Sequence, residues 1–365
     1  MLDQPRSLDL AEQAAGGKLR ILIVSDAWEP QVNGVVRTMR TVLHELRKMG
    51  HVAEVIGPDR FVTVPLPSYP SIRLALKPRR RLNAMLQAFA PNALHISTEG
   101  PLGWAARAWA LRVGMPFTTA FHTRFPEYLR ARTGAPVRFS YAVLRRFHRP
   151  AQGTLVAAES LRRELVTRGF RNIRSWSRGV DIDLFRPEPH RSDGPERPLS
   201  VYVGRIAVEK NIRAFLDMDL PGTKMVVGDG PQLASLRRDY PKVVFVGERH
   251  GAALASAYAQ ADLFVFPSLT ETFGLVLLEA LACGTPVAAF PVTGPIDLLT
   301  GHPEVGATDW NLRRACLAAL GCNRSACRSF GERFSWRACA EAFLRNLAVV
   351  PARPPIAQTE LEKRS

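Results

Sequence analysis

Two glutamates eight residues apart, Glu271 and Glu279, stand in the segment LFVFPSLTETFGLVLLEALACGTPV, residues 263–287. The segment reads as a strand ending at Pro267, a loop carrying Glu271, and a helix that opens near Phe273-Gly274 and carries Glu279. The two carboxylates then lie at different levels of one edge. A free helix N-terminus at that edge presents backbone N–H groups to an anion. Carboxylates beside it can accept hydrogen bonds from sugar hydroxyls. By residue type alone, an exposed glutamate followed by a helix-capping one would look the same.

Several chemistries are excluded by what is missing. There is no Walker A loop, no Gly-x-Ser-x-Gly elbow, no His-Glu-x-x-His and no Gly-x-Gly-x-x-Gly after the first strand. ATPase, serine hydrolase, zinc protease and simple dinucleotide oxidoreductase all lose ground. The five cysteines are Cys283, Cys316, Cys322, Cys327 and Cys339. An odd number without Cys-x-x-Cys fits a reducing compartment and no structural zinc. The four late ones are expected to be small buried hydrophobes.

The elements that must position these groups fall into two series. Residues 1–17 read as a flexible leader. RILIVS (Arg20–Ser25) is a buried strand. A turn at Asn33-Gly34 leads to a helix in which Val35, Met39, Val42, Leu43 and Leu46 recur at helical spacing, with Gly50 after it. VAEVIG follows as a strand, completing a parallel βαβ unit. ALHIS, PFTTAF and GTLVAA continue as strands with helices between them. The first domain spans 18–185. RPEPHRSDGPERP, residues 186–198, has linker composition. A second strand-helix series fills 199–334, a terminal helix occupies 335–350, and 351–365 reads as a disordered tail. Two alternating series imply an α/β protein of two doubly wound Rossmann-like domains facing across a cleft, with ligands beyond the carboxyl ends of the strands.

The 365 residues leave room for two cores, and 46% hydrophobic with 22% charged residues is an ordinary globular balance. No apolar run reaches the roughly 18 residues of a membrane helix, and no signal peptide is read. The net charge of +16 is lopsided, with 28 Lys and Arg against 14 Asp and Glu in residues 1–185. Such a field attracts nucleic acid, anionic lipid or phosphorylated ligands. No recognition helix or zinc motif accompanies it, so nucleic acid is not expected. KPRRR (Lys77–Arg81), RFPEYLRARTGAPVR (Arg124–Arg138) and RRFHR (Arg145–Arg149), with Phe125, Tyr128, Phe139, Tyr141 and Phe147 between them, have the makeup of a surface that meets an anionic membrane.

The Glu271–Glu279 segment resembles the signature of the retaining family-4 glycosyltransferases of GT-B fold. Four further segments resemble that family in family order: SDAWEPQVNGVVRT, FHT, RGVDIDLFRP, and VGRIAVEKNI followed by VGDGP. Together they run over roughly residues 20–290. The likeness is greatest to the α-mannosyltransferase and glycolipid-synthesising branch.

What the resemblance implies can be stated residue by residue. Arg205 and Lys210 hold the diphosphate of a nucleotide-sugar donor, two cations neutralising the leaving nucleotide. Glu279 hydrogen-bonds the ribose, and Glu271 contacts the donor sugar. The amides of Phe273, Gly274 and Leu275 support sugar and phosphate. Gly34 lets backbone approach the diphosphate and acceptor, His122 lines the sugar near the reacting carbon, and Glu248 sits near the base. Asp181 and Asp183 form an Asp-x-Asp pair, but in the interdomain segment, where Asp181 supports the hinge. No metal and no cofactor is implied beyond the donor, GDP-mannose favoured over a UDP-hexose. A hexose passes with retention to a lipid or glycan hydroxyl, and the enzyme is cytoplasmic or peripheral on the inner face of the cytoplasmic membrane.

PVTGPIDLLTG departs from the family's Gly-Gly turn and Glu, and no clear Val-rich strand follows it. That leaves open a UDP-sugar-dependent glycolipid synthase, a sugar-nucleotide epimerase of the same fold, and a catalytically silent sugar-nucleotide-binding scaffold.

Overall fold

Continuous apolar runs set the first sheet. The strands β1 (Arg20–Val24), β5 (Ala93–Ile96), β6 (Phe117–Ala120) and β7 (Gly153–Val156) are buried along almost their whole length, as strands covered on both faces must be. The computed structural model describes residues 17–31, 33–66, 69–122, 126, 136–189, 194–269 and 273–351. The leader and tail expected from sequence lie outside these residues except at Gly17 and Pro351, as do Glu271 and most of the basic segment 124–138. Two compact units are formed. One comprises residues up to Ala157 with 162–176 and 340 onward; the other comprises 158–161 and 177–339.

In the first unit β1 is followed by α1 (Gly34–Lys48), β2 (Val52–Ile56), β3 (Thr63–Leu66), β4 (Tyr69–Ala75) and α2 (Arg79–Phe89). After β5 come α3 (Pro101–Val113), β6, α4 (Val137–His148), β7, α5 (Glu159–Thr167) and β8 (Ile173–Ser175). The parallel sheet has the order β2-β1-β5-β6-β7-β8. Its core gathers Leu22, Val24, Leu94, Ile96, Leu102, Trp109 and Phe117.

Asn33-Gly34, expected as a turn, is a helix start. Asn33 is extended, and its side chain accepts hydrogen bonds from the Val35 and Val36 amides, so α1 begins at Gly34 itself. The antiparallel pair β3-β4 was not read from sequence. Prolines at 65 and 70 break the alternation that announces a strand. Of the aromatics expected on a basic surface, Tyr141 and Phe147 are instead fully buried, whereas Phe139 is exposed. The three-to-four spacing of α4 turns Tyr141, Leu144, Phe147 and His148 to the core. Phe125 and Tyr128 lie outside the described residues.

The second unit runs β9 (Leu199–Val203), a 3-10 turn at Val208–Lys210, β10 (Thr223–Val227), α6 (Leu233–Asp239), β11 (Val244–Gly247), α7 (Gly251–Ala259) and β12 (Leu263–Phe266). Then follow α8 (Leu275–Ala282), β13 (Val287–Ala289), α9 (Pro295–Leu299), β14 (Gly306–Thr308), α10 (Leu312–Ala319), α11 (Arg324–Glu332) and α12 (Trp336–Asn346). The sheet order is β11-β10-β9-β12-β13-β14, all parallel. The three-residue β14 supplies the strand that sequence did not show.

The unit boundary differs from the expected 186–198 linker. Residues 177–185 belong to the second unit because Arg328 of α11 donates to the Ile182 and Phe185 carbonyls, and the Phe185 ring packs on Tyr258. Asp181 makes a local cap, its Oδ1 accepting from the Asp183 and Leu184 amides. The terminal helix α12 is divided between units. Its Phe343 ring lies 4.9 Å from His95 and 5.1 Å from Trp176 in the first unit. Cys316, Cys327 and Cys339 are buried and Cys322 half-buried. Among the described residues no helix is long and apolar enough to cross a membrane.

Candidate functional site

Both sheets change direction once, and each change opens a crevice at the carboxyl ends of two strands. In the second unit it lies between β9 and β12. The loop after β9 carries Arg205, and the 3-10 turn that follows ends at Lys210. Asn211, left-handed at φ 51°, donates from its side chain to the Pro267 carbonyl at the end of β12, 3.1 Å away. The Lys210 turn is thereby tied to the strand from which the Glu271 loop departs. Tyr202 fixes the other side, its buried hydroxyl donating to the Arg205 carbonyl at 2.8 Å. Burial raises the Tyr202 pKa, with Glu209 adding to it, so the hydroxyl stays a donor.

The backbone here is packed too tightly for side chains. A Cβ on Gly228 would fall 1.9 Å from the Gly204 carbonyl oxygen, and one on Gly230 would fall 2.3 Å from that of Ile206. The loops after β9 and β10 therefore touch backbone to backbone. A cleft of about 620 Å³ results, lined by Gly204, Arg205, Gly228, Asp229, Glu248 and His250 among others. The charged groups around it face water. Arg205 is 68% exposed and 4.0 Å from Glu209, and Glu248 is 63% exposed and 3.6 Å from His250. Exposed pairs at such distances contribute about 0–1 kcal/mol, so an anionic ligand can replace them.

Beyond β12, Gly274 precedes α8 as its cap residue, with a left-handed φ of 82° and no side chain of its own to cap the first turn. Phe273 and Gly274 are buried and Leu275 half-buried. Glu271 lies outside the described residues. Glu279 is only 4% exposed and accepts from the Tyr258 hydroxyl at 3.2 Å. Burial, with Glu279 adding to it, pushes the Cys283 thiol up to about 12.

In the first unit the crevice lies between β1 and β5 and is closed by Asp26. Its carboxylate accepts from the Leu102 and Gly103 amides at the start of α3 and from the Thr98 hydroxyl, at 2.9, 3.2 and 3.0 Å. Burial raises its pKa to about 6 despite these bonds. The neighbouring residues after β5 also hold partners. Ser97 Oγ is 3.0 Å from His122 Nε2, and Glu99 Oε1 is 3.2 Å from His148 Nε2. His122 is half-buried, with the Trp176 ring edge-on at 6.0 Å. Gly34 is exposed, and a Cβ there would meet nothing within 4 Å.

Arg205 and Glu248, read separately from sequence, thus share one cleft, and Lys210 is tied to β12 beside it. Gly34 and His122 belong to the other unit. Sequence reasoning missed Asn211, Tyr202, Asp26 and Ser97. VGDGP signalled the two glycines; Asn211, Asp26 and Ser97 take their roles from partners distant in sequence, whereas Tyr202 meets the Arg205 carbonyl three residues on.

Residues 32–184 match the family described as Glycosyltransferase Family 4, and residues 197–309 match Glycosyl transferases group 1. A GDP-mannose-dependent alpha-mannosyltransferase of Mycobacterium tuberculosis is 34% identical over 312 residues, covering 78% of this chain and 82% of its own. An alpha-monoglucosyldiacylglycerol synthase of Streptococcus pneumoniae is 28% identical over 74% of this chain and 71% of its own. Among solved structures, a sucrose-phosphate synthase from Thermosynechococcus elongatus superposes with a TM-score of 0.64 at 21% identity, covering 88% of this chain and 97% of its own. That likeness is one of fold, the GT-B arrangement of two Rossmann-like domains.

Proposed function

The chain belongs to the glycosyltransferases of family 4 and group 1, enzymes that move a sugar from a nucleotide-sugar donor to an acceptor, and from that premise we propose that its donor is GDP-mannose, whose mannosyl group passes to the acceptor with retention as GDP leaves. The observation that carries this is the glycine-lined cleft of about 620 Å³ with Arg205 exposed beside it. A nucleoside diphosphate fits such a site, because its charge meets a cation in solvent while its backbone contacts need no side chain to move.

In this reading Arg205 and Lys210 take the diphosphate charge as the glycosidic bond breaks, together with the first amides of α8. No metal and no cofactor is required. Glu248 faces the base. A carboxylate pairs with two adjacent N–H donors, which guanine offers on one edge and uracil does not. Glu279, oriented by Tyr258, accepts from the ribose, and Glu271 and the Phe273–Leu275 backbone hold the sugar. Gly34 and His122 serve the transferred sugar and its acceptor. Relatives of both mannosyltransferase and diacylglycerol-glycoside type support a lipid or glycan hydroxyl as acceptor.

Contact with an anionic membrane surface, on the inner face of the cytoplasmic membrane, belongs to the same proposal. Arg79, Arg80 and Arg81 on α2 are exposed, as are Phe139 and Val143 on α4. Each Lys or Arg near such a surface contributes about 1 kcal/mol.

Calorimetric titration with GDP, UDP and ADP, with and without added magnesium, tests the donor. GDP should bind most tightly, without metal, and binding should be lost in Lys210→Ala. Preference for UDP would replace guanine by uracil, and no binding by any nucleotide would overturn the site. Product analysis with GDP-mannose and diacylglycerol-containing vesicles tests the acceptor; release of an epimer without acceptor would contradict transfer.

A further inference from the structure

Three consecutive residues after β5 each clamp a different part of the first unit. Ser97 meets His122, which follows β6; Thr98 meets Asp26, which follows β1; Glu99 meets His148 at the end of α4. The segment is itself locked to the sheet, since the Ser97 amide donates to the Val24 carbonyl at 2.8 Å. Ser97 is fully buried. A buried hydroxyl costs free energy unless it is hydrogen-bonded, so its contact with the His122 ring is held rather than incidental. The ring is bounded on another side by Trp176, itself buried against Phe343. Just before it, Phe121 is fixed by its amide, which donates to the Leu155 carbonyl at 2.9 Å.

We propose that Ser97 is a positioning residue for transfer: its buried hydroxyl, 3.0 Å from Nε2, sets the orientation of the His122 imidazole. The inference rests on the reading that His122 lines the transferred sugar. A ring held by sheet-mounted partners reaches the reacting centre without first being ordered there, and displacement by about an ångström can cost about a hundredfold in rate. Ser97 itself touches no substrate. Its effect therefore falls on turnover rather than on donor affinity.

The test uses the full chain, with GDP release from GDP-mannose as one readout and the imidazole nitrogen shifts of His122 in ¹⁵N-histidine-labelled protein as the other. The His122 signals are assigned by their loss in His122→Ala. In Ser97→Ala, kcat should fall about tenfold while the donor KM stays within about twofold. The Nε2 shift should move, because that nitrogen loses its hydroxyl partner. Ser97→Thr, which keeps the hydroxyl, should return kcat to within about threefold of the parent. Unchanged turnover and unchanged shifts in Ser97→Ala would overturn the proposal. So would a fall in kcat matched by a lower melting temperature and not rescued by threonine, which would make Ser97 a packing residue. Normal GDP release in His122→Ala would instead remove the underlying reading. It is told apart because the shifts in Ser97→Ala would still move.

Discussion

The two crevices of this protein occupy the same place in two sheets of the same kind, yet they are finished oppositely. In the first unit the strand-end gap is sealed by a buried carboxylate, Asp26, which takes the α3 amides that could otherwise meet an anion. In the second unit it is bridged by the neutral amide of Asn211, and the Arg205 side chain beside it is 68% exposed. One crevice is filled by a hydrogen-bonded buried carboxylate; the other has a preorganised backbone and exposed charged groups. The fold alone does not say which half takes the phosphates. The proposal that the second unit takes them rests on the difference in how the gap is filled.

Removing the two cations should test this contrast most severely. Arg205→Ala or Lys210→Ala should lower transfer by about a hundred- to a thousandfold, the scale of losing one charge-stabilising group. Arg205→Ala should leave unfolding free energy within about 0.5 kcal/mol, because the side chain is mostly exposed. Steady-state rates and urea unfolding read the two effects. A large stability loss would mean that the cation is structural, and the contrast with Asp26 would disappear.

Asp26 should behave in the reverse way, with its effect on stability. Its pKa in the folded protein is about 6, against an ordinary 3.8, so the folded state holds the proton more strongly than the unfolded chain. Its stabilising contribution is complete below about pH 4 and is lost as the pH rises through about 6, some 3 kcal/mol in all (about 1.4 kcal/mol per pKa unit). Asp26→Asn removes that loss. Measured against the parent, the variant's unfolding free energy should rise by about 3 kcal/mol between about pH 2 and pH 7. A difference that stays flat with pH would show that the carboxyl is not held protonated.

Two glycines sharpen the comparison at smaller amplitude. Gly228→Ala puts a methyl 1.9 Å from backbone oxygen and should cost about 2 kcal/mol of stability as well as donor binding. Gly34→Ala meets no neighbour and should leave the melting temperature unchanged or slightly raised, while lowering transfer. If both variants melt alike, the tight backbone of the second crevice is not what shapes it.

Much of this was legible in the chain. Buried strands such as RILIV and LFVF announce themselves by unbroken apolar runs, and the Glu271–Glu279 segment by its strand-loop-helix order. The β3-β4 pair was hidden by prolines, and β14 by being only three residues long. The basic stretches were visible as composition. Which of their aromatics face water was not, because that depends on the face α4 turns inward, where Tyr141 and Phe147 lie.

By itself the sequence determined two α/β halves, their order, and the residue types able to hold a nucleotide sugar. These are local properties, written in periodicity and in short motifs. Only the tertiary structure decided that Asn211 reaches Pro267, that Asp26 fills one crevice, and that Ser97 meets His122. Each of those contacts joins segments 25 or more positions apart. Strand order brings such partners together, and strand order is set by how the helices pack on both faces of each sheet, not by any neighbouring residue.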